Sequence, residues 1–327
     1  MTRAAKKSIL FLLATLVATA LACSKTEDKK EYEQKSKREY RTDIWLVDMQ
    51  TGADSVSLGE PRNITPRRGY DNQPKYLLDG SGLLFSVGVV AEDREMRTDI
   101  FLHDLASGKQ RKMTDTEESE FSPIPMPAGR GFSVVRLESD GTSRLWFVDD
   151  RGDNTEVILP DTVAVNYYNW IDANRIALLA GVPVSGEEKE PWTMMLQIGY
   201  VNYGETRPVV EMPENSRALQ LKPGSNSLTV IRKNEAGEAE LSLLDLDSME
   251  FTPLAKTLQG SHFADFVWTE DPFLLMADDR IVYRLANDGW VMVRDYSDVL
   301  PGPITRLAVR PDNQQLAMVV WEVPLEQ

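Results

Sequence analysis

Chemistry in this chain would have to come from very few reactive side chains. Its only cysteine is Cys23, and its only histidines are His103 and His262. Two isolated histidines and one thiol fall short of the convergent ligands that a zinc or copper site needs. Serine hydrolysis has no visible support, because no G-x-S-x-G elbow occurs, and that strained turn is what exposes the nucleophile of an α/β-hydrolase. Asp149-Asp150-Arg151-Gly152-Asp153-Asn154 is acidic, but its spacing does not match a calcium loop. It reads as a solvated turn, and so does the Arg151-Gly152-Asp153 tripeptide within it. His103 stands where sister segments carry Val47 and Val148, so it reads as a structural residue. His262, in a loop or innermost strand, is the better functional candidate. No catalytic set and no cofactor emerge, and the chain reads as a non-enzyme.

What remains are groups that bind rather than react, and a repeat decides where they lie. Thr42-Asp43-Ile44-Trp45-Leu46-Val47-Asp48-Met49-Gln50-Thr51-Gly52 recurs as Thr98-Asp99-Ile100-Phe101-Leu102-His103-Asp104-Leu105-Ala106-Ser107-Gly108. Leu145–Asp149 and Leu241–Asp245 match the core of this frame. Between the copies lies a second periodic element, a strand, a tight turn and a strand. Its turns are centred at 79, 128, 172, 223, 270 and 311, so they are spaced by 49, 44, 51, 47 and 41 residues. Gly and Asn accept positive φ, Pro presets φ and Asp closes a turn with its side chain. A period of roughly 40–50 residues is that of a four-stranded propeller blade. Six turns predict an all-β, six-bladed β-propeller of four-stranded antiparallel blades. With strands lettered a to d from the channel outward, the chain after residue 40 opens on c and d strands, Asp43–Met49 and Arg62–Thr65. It closes on a and b strands, Thr305–Val309 and Gln315–Trp321. Pairing of the two ends would complete one blade and seal the ring, removing exposed sheet edges.

Asn63-Ile64-Thr65, then Gln73-Pro74-Lys75-Tyr76-Leu77-Leu78-Asp79-Gly80, then Thr98–Gly108 and Lys112-Met113-Thr114 resemble the TolB-like propeller repeat. That family reads roughly L-T, a gap, P-x-W-S-P-D-G, a strand, then I-[FY]-x-x-D-x-x-[ST]-G. The resemblance is clear over residues 69–159, fades through 160–300 and returns at Arg310-Pro311-Asp312. Tyr76-Leu77-Leu78 replaces W-S-P, and Ala128-Gly129 replaces D-G. The resemblance implies a binding propeller of the bacterial envelope, a relative of TolB without its separate N-terminal domain.

The start of the chain implies export. Arg3, Lys6 and Lys7 precede an apolar stretch from Ser8 to Ala22, shorter than the roughly 20 residues that span a membrane. Residues 1–22 are therefore expected to be a signal peptide. Cys23 after Ala20-Leu21-Ala22 resembles the acylated cysteine of bacterial lipoproteins, and Ser24 resembles the residue that follows it in those sorted to the outer membrane. Ala20-x-Ala22 also suits ordinary cleavage, which would leave a secreted chain. Residues 23–40, mixed in charge and poor in apolar side chains, are expected to form a flexible tether. Its seventeen residues after Cys23 could reach about 55 Å. Residues 41–327 are expected to be the propeller, a monomer on the periplasmic side of the outer membrane.

The formal charge is −15 and becomes −18 once Arg3, Lys6 and Lys7 are removed. This excludes nucleic acid as a partner and leaves the lipid anchor as the only membrane contact. Candidate binding residues at the channel mouth are Tyr70, Asp71, Asn72, Gln73, Glu120, Phe121, Asn166, Tyr167, Tyr168, Arg217, His262, Asp265 and Arg306. The b–c loops Gly88–Arg97, Gly181–Trp192 and Lys233–Glu238 are long and varied, which makes Glu187, Glu188 and Trp192 rim candidates. Three readings follow: a protein- or peptide-binding scaffold, a glycan or small-molecule sensor stacking on Tyr167, Tyr168, Trp192 and Trp268, and a metal-dependent lactonase or ester hydrolase using Asp71, Glu120 and Asp265. In the last, Arg217 and Arg306 would oppose a divalent cation.

Overall fold

The computed structural model describes residues 41–90, 96–153, 155–183, 192–213, 216–258 and 265–322. The expected signal peptide, Cys23, the tether, His262, Glu187 and Glu188 lie outside them. Twenty-five strands follow one another, and the one helical segment among the described residues is the short 3-10 turn Val201–Tyr203. The chain opens with β1 (Thr42–Thr51), β2 (Val56–Leu58) and β3 (Arg62–Asn63). Blade 2 is β4 (Asp71–Tyr76), β5 (Gly82–Val90), β6 (Met96–Asp104) and β7 (Gln110–Lys112). Blade 3 is β8 (Ser119–Pro125), β9 (Phe132–Leu137), β10 (Ser143–Val148) and β11 (Thr155–Ile158). Blade 4 is β12 (Val165–Trp170), β13 (Arg175–Pro183), β14 (Trp192–Tyr200) and β15 (Glu205–Glu211). Blade 5 is β16 (Leu219–Leu221), β17 (Ser227–Lys233), β18 (Ala239–Asp245) and β19 (Phe251–Lys256). Blade 6 is β20 (Phe266–Trp268), β21 (Leu274–Asp278), β22 (Ile281–Ala286) and β23 (Gly289–Asp295), and the chain returns through β24 (Ile304–Val309) and β25 (Gln315–Trp321).

The two chain ends make blade 1, as expected. β25 pairs antiparallel with β1 from Thr42↔Trp321 to Asp48↔Gln315, and the sheet runs β24, β25, β1 and then β2, with β3 also on β1. The outer strand of this blade is broken. β2 pairs with Met49–Thr51 and β3 with Trp45–Leu46, and Pro61 between them has no N–H for the ladder.

Packing follows the alternation of side chains. The b strands are buried on both faces and are therefore nearly continuous apolar runs. In β13, Ile176, Leu178 and Ala180 pack toward blade 3 while Ala177 and Leu179 pack toward blade 5. In β25, Leu316, Met318 and Val320 face blade 6, and Ala317 and Val319 face blade 2. Each pair of neighbouring blades shares one such buried cluster, which makes six around the ring among the described residues.

The T-D-I frame joins a c strand to the end of its own d strand. Thr65 Oγ1 accepts from Ile44 N at 2.8 Å, and Thr114 Oγ1 accepts from Ile100 N at 2.9 Å. The aspartates are held by the same partner strands: Asn63 donates to Asp43 at 2.6 Å, and Lys112 pairs with Asp99 at 2.8 Å. The end of the frame differs between copies. Asp104 Oδ1 accepts from Ser107 N at 2.7 Å and Gly108 takes φ 69°, closing a turn. In the first copy β1 runs on through Thr51, because β2 supplies a partner there. His103 is buried, with Nδ1 lacking a hydrogen-bond partner, and burial lowers its pKa. Gly152 of the acidic turn takes φ 86°, and a Cβ there would stand 1.9 Å from the Met113 carbonyl oxygen, so this glycine serves the packing of blade 3 on blade 2.

Asp43 sits at the closing seam with 1% exposure. Burial, opposed by the Asn63 amide and reinforced by Glu322 and Asp71, pushes its carboxyl up to about 7. Its Oδ1 has no hydrogen-bond partner. The folded chain thus retains a proton that the unfolded chain releases near pH 4. This contribution to stability is complete below about pH 4 and is lost as the pH rises through about 7. Asp43→Asn, which is neutral at every pH, is expected to raise Tm above wild type at pH 8 and to come close to it at pH 4. Thermal melts at both values check this, and an equal difference at the two would remove the seam charge as the cause.

Candidate functional site: the central channel

The a strands touch in sequence around the ring, β24 with β4, β4 with β8, β8 with β12, β12 with β16, β16 with β20 and β20 with β24. They enclose a channel of about 310 Å³. Register slips interrupt four of them, between Asn72 and Lys75, Phe121 and Ile124, Val165 and Tyr167, and Ile304 and Arg306. Two of these bulges are built on Gln73-Pro74 and Ser122-Pro123, where Gln73 takes φ 56° and Ser122 φ 51°. Proline cannot donate to the ladder and settles where the ladder is already broken. A bulge re-aims the side chains beyond it, and Lys75, Tyr167 and Arg306 stand immediately after three of the slips and line the channel.

Polar side chains on the a strands stitch neighbouring blades. Gln73 Oε1 accepts from Ser122 N of blade 3 at 2.9 Å. Asn169 donates to the Leu219 carbonyl of blade 5 at 2.7 Å, and Gln220 bonds Phe266 and Trp268 of blade 6 at 3.1 and 3.0 Å. The aromatic at the end of an a strand reaches back to the preceding blade. Tyr76 Oη donates to Gln315 Oε1 at 3.1 Å, and Trp268 Nε1 donates to Thr229 Oγ1 at 2.9 Å. Tyr168 Oη and Trp170 Nε1 both donate to Ser133 Oγ at 2.9 Å. These partners explain why aromatic residues recur at that position.

Of the residues singled out from the sequence, Gln73, Tyr167, Tyr168, Arg217, Asp265 and Arg306 line the channel. Tyr168 is buried and its hydroxyl is spent on Ser133, so it is a wall rather than a stacking surface. Asp71 and Glu120 point into the ring wall. Asp71 is buried and paired with Arg67. Glu120, with 0% exposure, accepts from Thr116 at 2.5 Å and from Thr114 at 3.2 Å, and pairs with Arg136 at 3.1 Å. Burial raises the pKa of both carboxyls against the pull of these partners. Tyr70 forms a bridge to Thr42 of blade 1. Asn72 is buried and its Oδ1 accepts from Gln73 N at 2.8 Å. Phe121 packs in the cluster between blades 3 and 4, and Asn166 lies beside the Met194 sulfur at 3.9 Å. Trp192 begins β14 and is 46% exposed.

The charges that do face the channel are unbalanced. Lys75, Arg217 and Arg306 line it together with Asp265, and nearer the a–b turns stand Glu270 and Arg310, the latter paired with Asp312. Arg306 donates to Tyr167 Oη at 3.2 Å and lies 5.3 Å from that ring's centre. Arg217 donates to the Thr305 carbonyl at 2.9 Å, and Asp265 accepts from Leu307 N at 3.2 Å. Burial lowers the pKa of Lys75, with Asp265 opposing the shift. Burial and then repulsion from Arg306 lower that of Arg217. Lys75 was not singled out from the sequence; the signal that could have found it is the proline just before it in a strand. Among the described residues no three carboxylate, histidine or cysteine side chains are grouped to hold a metal ion.

Solved structures share this fold at low identity. A protein assigned as TolB from Agrobacterium tumefaciens superposes with a TM-score of 0.61 at 12% identity, over 86% of this chain and 99% of that one. TolB from Acinetobacter baumannii superposes at 0.54 and 9%, over 88% of this chain and 65% of its own length. XC5397 from Xanthomonas campestris, a gluconolactonase, superposes at 0.60 and 11%, over 84% and 94%. No protein-family model matches the sequence, and no curated protein does.

If Glu120 is a wall residue, its loss strands the Arg136 guanidinium, which is 5% exposed and also lies 3.7 Å from Glu118. Glu120→Ala is expected to cost about 3 kcal/mol. Asp265→Asn, which keeps an acceptor for Leu307 N, is expected to cost less than about 1 kcal/mol. Urea unfolding of both variants checks the division, and equal costs would place Glu120 with the channel groups.

Proposed function

We propose that this chain is a lipid-anchored, non-catalytic scaffold of the bacterial cell envelope that holds a protein or peptide partner at its channel and long-loop face. The observation that carries this reading is the channel itself, a cavity lined by polar and aromatic groups from all six blades. Convergent polar groups in a concave site are what ligand recognition requires. The fold shared with two TolB structures supports the same direction, although fold likeness alone never assigns a function. The lipobox-like segment ending at Cys23 supports an anchor, and periplasmic placement follows from it.

The likeness to a gluconolactonase favours a second reading, a hydrolase working in the channel. The charges weigh against it. A divalent cation needs several oxygen ligands and a negative local field, whereas Asp71 and Glu120 are engaged in the wall and cations outnumber carboxylates in the channel.

Two measurements test the proposal. Palmitate labelling in the host is expected to mark the wild-type chain and to vanish in Cys23→Ser, which should also move the protein from the membrane to the soluble fraction. Labelling that persists in that variant, or is absent from wild type, would remove the anchor. Affinity capture from detergent-solubilised envelopes with the full chain as bait is expected to return a reproducible protein partner. Replacing residues 184–191 with a Gly-Ser linker and Trp192 with Ala is expected to abolish the capture without lowering Tm. A bait that returns no partner in wild type would overturn the scaffold reading.

A further inference from the structure

The propeller is strongly acidic, with 27 Lys and Arg against 46 Asp and Glu in residues 41–327. Its channel has the opposite sign. Among the described residues that line the depth of the cavity, three are the cations Lys75, Arg217 and Arg306 and one is a carboxylate, Asp265. Asp265 accepts from Leu307 N, and the Lys75 side-chain amine, though near Asp265, forms no ion pair or hydrogen bond among the described residues. Three cations brought together on one cavity repel one another, as Arg306 repels Arg217, and an anion among them relieves that repulsion. The carboxylates Asp71 and Glu120 are committed to Arg67 and Arg136 rather than to these cations.

The shape limits what the anion can be. At about 310 Å³ the cavity is at the small end of ligand sites, roughly 300–1,000 Å³. Its described lining runs from these cations out to Leu78, Pro223 and Pro311 at the a–b turns. A ligand entering there must carry its negative charge at a tip. It must also tolerate the acidic exterior, which repels polyanions at long range. A peptide end with a neutral or basic body behind a single carboxylate meets both demands. Tyr167, held by Arg306, and the buried edges of Trp170 and Trp268 among the lining residues offer apolar wall for the last side chains.

We propose that the channel is a carboxylate site, in which Lys75, Arg217 and Arg306 bind the terminal carboxyl group of a peptide segment entering from the a–b turn face. This rests on the scaffold reading for its biological setting but not for its chemistry. Charge-assisted bonds to a carboxylate give the site both affinity and direction.

The test is calorimetric titration of the full chain with acetyl-Ala-Ala-Ala carrying either a free carboxyl or an amide end, with inorganic phosphate as a third probe. The free acid is expected to bind at least about tenfold more tightly than the amide, equivalent to about 1.4 kcal/mol. Lys75→Gln and Arg306→Gln are each expected to remove that preference, and Lys75→Arg to retain it. Equal binding of acid and amide, or no binding of either, overturns the proposal, and so does phosphate binding without acid preference. If both Gln variants lose folding, the acid-to-amide ratio on wild type and on Lys75→Arg still decides. A wild type that binds the acid but captures no envelope protein removes the scaffold and leaves this site. Gln variants that lose the acid preference yet capture the partner unchanged remove the carboxylate site as the partner's anchor and leave the scaffold.

Discussion

Everything in this propeller depends on the antiparallel pairing of β1 with β25, which joins Thr42 to Trp321 and Asp48 to Gln315. Within the other five blades each sheet is a run of local hairpins. Only here do strands from opposite ends of the chain share a ladder. Closing a loop that long costs little more entropy than closing one of half the length, but it must be completed before blade 1 can bury either face. The clusters on its two sides, one shared with blade 6 and one with blade 2, contain side chains from both ends of the chain. Loss of this ladder would therefore open two of the six interfaces at once. The channel depends on it too, since Arg306 is delivered by β24, the inner strand of the same blade.

The architecture was legible because its signals are local and repeated. Turn residues recur once per blade, and the T-D-I frame marks where a c strand meets the end of its d strand. The bonds from Ile44 to Thr65 and from Ile100 to Thr114 show what the frame accomplishes. Ties between blades are made elsewhere, by a-strand side chains: Gln220 joins blade 5 to blade 6, and Tyr168 and Trp170 join blade 4 to blade 3 at Ser133. Less legible was the reach of a motif into its context. Asp48–Gly52 and Asp104–Gly108 share the D-apolar-x-[ST]-G pattern, yet only the second closes a turn within it, because β2 offers β1 a partner that extends the strand and delays its turn.

The site was half legible, and the reason is geometric. Along a strand the side chains alternate, so one bulge exchanges wall for channel at every later position. Asp71 and Glu120 precede the bulges in β4 and β8 and pair with Arg67 and with the buried Arg136; Lys75 follows a bulge and faces the cavity. Residue type drew attention to the carboxylates, whereas phase decided which groups are available. Proline inside a strand, at Pro74 and Pro123, is the only mark of that phase visible in the sequence.

The opposition of charge between exterior and channel ties the fold to its use. An acidic shell slows the approach of anions at long range and favours basic segments. A cationic channel acts at short range, within about a Debye length of its own groups. On the reading proposed above, the surface would select the body of a partner and the channel its tip. Asp71 and Glu120 pair with Arg67 and Arg136, so among the described lining residues the cations Lys75, Arg217 and Arg306 outweigh Asp265 in the field of the channel. Holding that field in place requires six blades in register, which returns the specificity of the channel to the one ladder that closes the ring.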